Sequence, residues 1–319
     1  MDYKGDNVLQ SVSHARASFH VSSSAHPMYV ERWAPLSGAS EHPPVVLIHG
    51  GGHTGLCYSH TPDGRPGWAS LFVQSGYTAY VVDWPGHGRS PPPHDFATMS
   101  MNAVITALVD LLDQIGPATL VAHSAGGTVA WAVADRRPNS VCAILGIAPG
   151  PPGNLLPVLP SDPLEFEALS AREDLGHPVY HSETAPVYFS SEFIRRYWAN
   201  SKHFPLEAID AYEKTIVPES PRILNERFNI GGCSPQVLSP DRIRRIRSLV
   251  VTGSDDPRHP RSVDEAVAQY VGATHLWLPD IGIEGNGHSL MIERNSSEIF
   301  DVVYQWLTAY ENRPVEKEA

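Results

Sequence analysis

The run Leu120-Val121-Ala122-His123-Ser124-Ala125-Gly126-Gly127 carries the most specific chemical signal in the chain. An apolar stretch enters a small-x-Ser-x-Gly turn and leaves into helix-compatible sequence, the setting that lifts a serine hydroxyl clear of a sheet as a nucleophile. Only small residues fit two positions either side of that serine, and Ala122, where glycine is common, adds just a methyl. The bland alternative is a serine that caps the next helix. A serine hydroxyl is a weak nucleophile at neutral pH, so a base must take its proton. His288, in Gly285-Asn286-Gly287-His288-Ser289, stands where a serine, acid, histidine chain order puts that base. The acid that holds the imidazole in one tautomer is expected after a strand between the two. Leu249-Val250-Val251-Thr252-Gly253-Ser254-Asp255-Asp256-Pro257 supplies Asp256, with Asp255 as an alternative or a turn former and Glu284 as a weaker substitute.

A second signal is Val45-Val46-Leu47-Ile48 opening into His49-Gly50-Gly51-Gly52. Glycine lets bare N–H groups face a ligand. In acyl transfer such donors, with the N–H after the nucleophile, hold the tetrahedral oxyanion, and losing one costs about 3 kcal/mol. Gly51 and Ala125 are the expected donors, and Gly52 is a further candidate. A phosphate-cradling loop is the rival reading, but no Lys follows in the spacing that a phosphate loop needs; a plain tight turn also stays open. His49 is expected to support this loop. Gly52, His123, Tyr188 and Trp198 are the expected substrate contacts, with His123 also read as a packing or orienting residue. His49, His53 and His60 lack H-E-x-x-H spacing, so no metal is expected, and no cofactor is expected because these motifs contain none.

The elements that must position these groups alternate between β-rich runs and helix-period stretches, which predicts a mainly parallel sheet with helices on both faces. Expected strands are Met28 to Trp33, Val45 to His49, Thr78 to Val82, Ala118 to Ala122, Val141 to Ile147, Ser248 to Thr252 and His275 to Leu278. Helical spacing joins Val104, Leu108, Leu111, Leu112 and Ile115, and again Ile299, Phe300, Val303, Trp306 and Leu307. Ser262 with Glu265 and Asn295 with Glu298 have capping-box spacing. The alternation stops between residues 149 and 240, where Pro and aromatics concentrate, among them Tyr180, Phe189, Phe193 and Tyr197. Two units are expected: an α/β core of residues 1–148 and 241–319, and an inserted cap of 149–240 above the C-terminal edge of the sheet, where open α/β sheets bind ligands. The tail Asn312 to Ala319 reads as a solvated end.

At 319 residues, with 42% hydrophobic and 18% charged residues, the chain has the composition of a globular protein. A net charge of −12 repels phosphate backbones and anionic headgroups, so neither nucleic acid nor a membrane is an expected partner. The stretch Met1 to Ser24 is polar, without the apolar core of an export signal. Cys57, Cys142 and Cys233 are widely spaced and odd in number, which suits free thiols in a reducing compartment. A cytoplasmic protein is the expectation, and a homodimer is the macromolecular partner left open.

These residues resemble the α/β-hydrolase fold family. His49-Gly50-Gly51, Asp83-Trp84-Pro85-Gly86-His87-Gly88-Arg89-Ser90, Ala122 to Gly126, Gly253 to Asp256 and the His288 loop occur in the family's order, over most of the chain outside the insertion. The resemblance implies an eight-stranded sheet and a structural role for Asp83 to Ser90. Thr61-Pro62-Asp63-Gly64-Arg65-Pro66-Gly67-Trp68 and Gly282 to Met291 are similar to a branch of bacterial esterases that includes lactone-acting members. In that branch the acid is a glutamate after the strand following the nucleophile. The equivalent here is Ala148, whose side chain accepts no hydrogen bond, so the acid must lie elsewhere, which favours Asp256.

The expected activity is hydrolysis of a carboxylic ester or lactone through Ser124, His288 and Asp256, and the aromatic insertion suggests a small-molecule acyl substrate that is uncharged, fairly bulky and apolar. The same residues could serve C–C hydrolysis, acyl transfer or cyclisation in natural-product synthesis, or the pocket could belong to a non-catalytic binding module, because fold does not determine chemistry.

Overall fold

The computed structural model describes residues 14–21, 26–36, 40–167, 169 and 178–311. The tail Asn312 to Ala319 and most of the stretch Met1 to Ser24 lie outside them. Eight strands, β1 His14–Val21, β2 Met28–Pro35, β3 Val45–Ile48, β4 Ala79–Asp83, β5 Ala118–His123, β6 Val141–Ile147, β7 Arg247–Thr252 and β8 Thr274–Trp277, form one sheet. Their order is β1-β2-β4-β3-β5-β6-β7-β8. β1 pairs antiparallel with β2 and β2 with β4, and every pairing from β4 to β8 is parallel.

The continuous apolar runs of β3 to β7 follow from burial on both faces. Side chains alternate across a strand, so Val46, Ile48, Leu120, Ala122, Ile144 and Val250 join one core layer. Their neighbours Val45, Leu47, Val121, Leu145, Leu249 and Val251 join the opposite one. The helices are α1 Leu56–Ser59, α2 Trp68–Gln74, α3 Met101–Ile115, α4 Ala125–Arg136, α5 Pro163–Glu167, α6 Ser191–Tyr197, α7 Ile209–Glu213, α8 Pro221–Arg227, α9 Pro240–Ile243, α10 Arg261–Val271 and α11 Ser296–Glu311. Residues of α3, α4 and α10 pack in the first layer, and residues of α2 and α11 in the second. Among the described residues no helix is long and apolar enough to cross a membrane.

The expected core strands appear within a residue or two of their bounds, but β1 falls in the stretch read only as polar. β1 is an edge strand, most of whose side chains are exposed, so it needs no apolar run. The capping box at Ser262 is also corrected. Pro260, in extended conformation, precedes α10, so Ser262 lies inside the first turn and Glu265 instead accepts from Arg261 Nε at 2.7 Å. Asn295 does precede α11, yet its side chain exchanges hydrogen bonds with Asn286 at 2.7 and 3.2 Å. Between β6 and β7 the described residues add no strand to the sheet and contribute α5 to α9.

Candidate active site

Ser124 sits between β5 and α4 at φ 51° and ψ −127°, a left-handed conformation that costs a non-glycine residue on the order of 1–3 kcal/mol. Close packing enforces it. A Cβ added at Gly50 would lie 2.8 Å from Ser124 Cβ, and one at Gly126 would lie 2.6 Å from the His49 carbonyl oxygen. The sequence must therefore keep glycine where strand, turn and neighbouring loop converge.

Ser124 Oγ is 2.9 Å from His288 Nε2, and His288 Nδ1 is 2.8 Å from Asp256 Oδ2. Asp256 Oδ1 also accepts the N–H groups of Arg258 at 2.8 Å and His259 at 3.2 Å. The carboxylate thus takes three donors. Burial works against its charge, but His288 and these hydrogen bonds prevail and hold its pKa at about 2. Burial lowers the pKa of His288, with Asp256 opposing part of the effect. Near neutrality the imidazole is uncharged, donates from Nδ1 to Asp256 and presents the Nε2 lone pair to the serine hydroxyl.

Neither alternative acid reaches the imidazole. Asp255 is exposed, with its carboxylate accepting from Ser254 Oγ at 2.8 Å, and Glu284 is exposed, with its carbonyl accepting from His203. Ala148 directly follows β6 at φ 43°, and its side chain carries no acceptor.

The loop of His288 is held from several sides. Its carbonyl accepts from His123 Nε2 at 3.0 Å, and Glu293 accepts from Gly287 N–H at 2.8 Å. Arg65 donates to the carbonyls of Glu293 at 3.0 Å and Arg294 at 3.1 Å, and Trp68 Nε1 to that of Ser296 at 3.0 Å. Arg65 and Trp68, from the Thr61 to Trp68 segment, thus hold the chain just beyond the Gly282 to Met291 segment.

The glycine loop is pinned peptide by peptide. The Gly50 carbonyl accepts from His49 Nδ1 at 2.8 Å and from His53 N–H at 3.3 Å. The Gly51 carbonyl accepts from His53 Nδ1, and Gly52 N–H donates to Glu219 Oε2, each at 2.9 Å. Gly51 N–H is left without an acceptor among the described residues, and Gly51 lines the cavity beside Ser124 and Ala125. Ala125 N–H opens α4, where first-turn amides have no intrahelical partner. Burial keeps His49 and His53 neutral, lowering them to about 3 and about 4.

Two expected substrate contacts are corrected. Gly52 and His123 are not among the cavity-lining residues. The N–H of Gly52 is spent on Glu219, and His123 is buried against the His288 loop. Tyr188 and Trp198 do line the cavity, Tyr188 77% exposed at its mouth and Trp198 buried against Phe189 and His53.

Sequence reasoning missed Glu219. Its fully buried carboxylate accepts from Gly52 N–H, from Ser220 N–H at 2.8 Å and from His87 Nε2 at 3.0 Å. His87 faces acceptors with both ring nitrogens, since Nδ1 donates to the Pro85 carbonyl at 3.0 Å. Burial opposes its charge, but Glu219 outweighs burial and raises its pKa. No local motif marks Glu219; the helical segment only brings it under the glycine loop in three dimensions. Glu219→Ala should leave His87 Nε2 and the N–H groups of Gly52 and Ser220 without their buried acceptor. A loss of about 3 kcal/mol or more is expected in denaturant unfolding, and a midpoint unchanged from the parent would exclude the anchoring role.

Asp83 has the structural role expected of it: its carboxylate accepts from Gly55 N–H at 2.8 Å and from Arg89 N–H at 2.9 Å. Among the described residues no cluster of three His, Cys, Asp or Glu could hold a metal ion.

A mostly parallel eight-stranded sheet with a serine at the β5–α4 turn and a histidine beyond β8 defines the α/β-hydrolase class of architecture. The chain belongs to the Alpha/beta hydrolase family, whose model matches residues 45–302. It is 26% identical to a probable secreted lipase, phiG, of a fungal species, over 88% of this chain and 85% of that protein. It also resembles the structure of a thermophilic esterase from Thermogutta terrifontis, with TM-score 0.63 and 18% identity over 92% of this chain and 98% of the other. The N-acyl homoserine lactonase AidH matches with TM-score 0.61 and 18% identity over 96% and 99%. At such identity the last two likenesses speak to the fold alone.

Proposed function

We propose that this protein is a serine carboxylic ester hydrolase in which Ser124, His288 and Asp256 form the triad. Ser124 Oγ attacks the acyl carbonyl as His288 Nε2 takes its proton, and Asp256 stabilises the imidazolium. The N–H groups of Gly51 and Ala125 hold the negative oxygen of the tetrahedral intermediate. His288 then protonates the departing alcohol oxygen, leaving an acyl-serine. Water, deprotonated by the same imidazole, attacks that acyl group, and the acid departs as Ser124 regains its proton. Lactones enter by the same path, with the ring oxygen as the leaving group.

The observation that carries this reading is the unbroken relay of 2.9 and 2.8 Å from serine to carboxylate beside a cavity of about 380 Å³. The segment 149–240 serves as a cap whose aromatic residues wall the acyl site. The test is a fluorophosphonate probe together with a panel of 4-nitrophenyl esters and lactones. A single adduct on Ser124 and turnover of at least one ester class are expected; no adduct and no turnover would leave a ligand-binding module instead.

The pH dependence has a definite sign. The base must be neutral to accept the proton, and burial lowers the pKa of His288 below 6.5. Activity is therefore lost as pH falls, and the acid limb of kcat/KM should have its midpoint below 6.5. A midpoint above 7 in a pH–rate profile would contradict the buried, neutral imidazole.

A further inference from the structure

The cavity beside Ser124 has aromatic and aliphatic walls, yet two of its lining residues are arginines, Arg227 and Arg258. Arg227 is the last residue of α8, and Arg258 follows Asp256 by two positions. Neither is in an ion pair among the described residues. Each rests on aromatic rings: the Arg258 guanidinium carbon is 5.1 Å from the Tyr197 ring centroid and 5.6 Å from that of Phe193, and that of Arg227 is 4.9 Å from Phe228. No carboxylate is found among the described lining residues. Asp256 exerts some pull on both guanidiniums, but its oxygens are already committed to His288 and to two backbone N–H groups.

Two cations facing one half-enclosed chamber with no ion-pair partner among the described residues is a costly arrangement. Burial pulls both guanidiniums below their ordinary value, and repulsion from Arg258 adds to the effect at Arg227. The exterior has the opposite sign, since the chain as a whole carries a net charge of −12. Positive charge is thus concentrated where a substrate would lie. A planar guanidinium presents a fork of N–H donors that matches a carboxylate in a bidentate fashion.

We infer that the acyl substrate carries a second, ionised carboxylate, which Arg227 and Arg258 bind while the ester carbonyl lies at Ser124. The inference rests on the hydrolase reading above for its reaction and adds the charge of the substrate. It replaces the uncharged substrate expected from composition: the body of the molecule meets aromatic walls, and one end is anionic. Substrates of this class are the half-esters of dicarboxylic acids and their relatives.

The test compares mono-4-nitrophenyl adipate, which keeps a free carboxylate, with neutral 4-nitrophenyl hexanoate on the full-length protein. The ratio of their kcat/KM values is expected to favour the half-ester at least tenfold, and to fall by at least tenfold in Arg227→Gln and in Arg258→Gln. Because a ratio is read, a partly misfolded variant does not mimic the effect. Calorimetry on Ser124→Ala provides a readout without turnover, with monomethyl adipate expected to bind more tightly than dimethyl adipate. Cleavage of both esters with no preference, equal binding and no change of ratio in the arginine variants would overturn the inference and leave the triad intact. Selective binding of monomethyl adipate with no cleavage of any ester would do the reverse.

Discussion

Ser124→Ala should lower kcat on any ester the parent cleaves by roughly a millionfold, the scale seen when a nucleophile is removed from a cooperating triad. The substitution takes away the attacking atom and little else. Alanine keeps the Cβ that packs against Gly50, and the backbone strain at φ 51° is the same for both residues. The hydroxyl makes one side-chain hydrogen bond, to His288. Unfolding free energy should therefore move by less than about 1 kcal/mol. Steady-state kinetics beside a denaturant melt checks both halves. Substantial residual turnover by a well-folded variant would mean that the attacking group is not this serine.

Asp256→Asn is the second large effect, with kcat expected to fall by about 10⁴, as in the serine-protease triad from which the magnitude is taken. The surroundings dictate which way the new amide points. The N–H groups of Arg258 and His259 both donate to Asp256 Oδ1, so the amide oxygen of asparagine must face them. Its NH₂ then faces His288 Nδ1, which can only respond as an acceptor. The imidazole proton moves to Nε2, and the lone pair that receives the serine proton is lost. Rates on a 4-nitrophenyl ester measure the effect. A loss of less than tenfold would show that the carboxylate does not control the tautomer.

Much of this site was legible from local chemistry. The turn around Ser124 needs small residues at fixed offsets, and the glycines after β3 serve a loop that packs against it, so steric demands wrote both into short stretches. Asp256 followed from the element order, because a loop after β7 opens at the same sheet edge as the one after β5. Other features left no local trace. Strand β1 has one neighbouring strand and mostly exposed side chains, so no hydrophobic pattern betrays it. Glu219 lies 167 residues from the Gly52 N–H it accepts, and only the folded path of the helical segment brings them together. Arg227 and Arg258 look like ordinary surface cations until the cavity is seen. Gly52 and His123 failed as substrate contacts for the opposite reason: adjacency in sequence to reacting groups was taken for adjacency to the substrate.

The bonds from Arg65 to the carbonyls of Glu293 and Arg294 span 228 and 229 residues. Under the proposed mechanism this separation bears on when activity can arise during biosynthesis. A ribosome delivers the N-terminal part first, so the nucleophile and its glycine loop leave the exit tunnel well before the imidazole exists. Under the proposed mechanism, a nascent polypeptide halted before residue 288 holds a serine with no base and does not turn over acyl compounds. On that mechanism the relay can close only after residue 288 has emerged, and the bonds to Arg65 then tie the end of the chain to its early part.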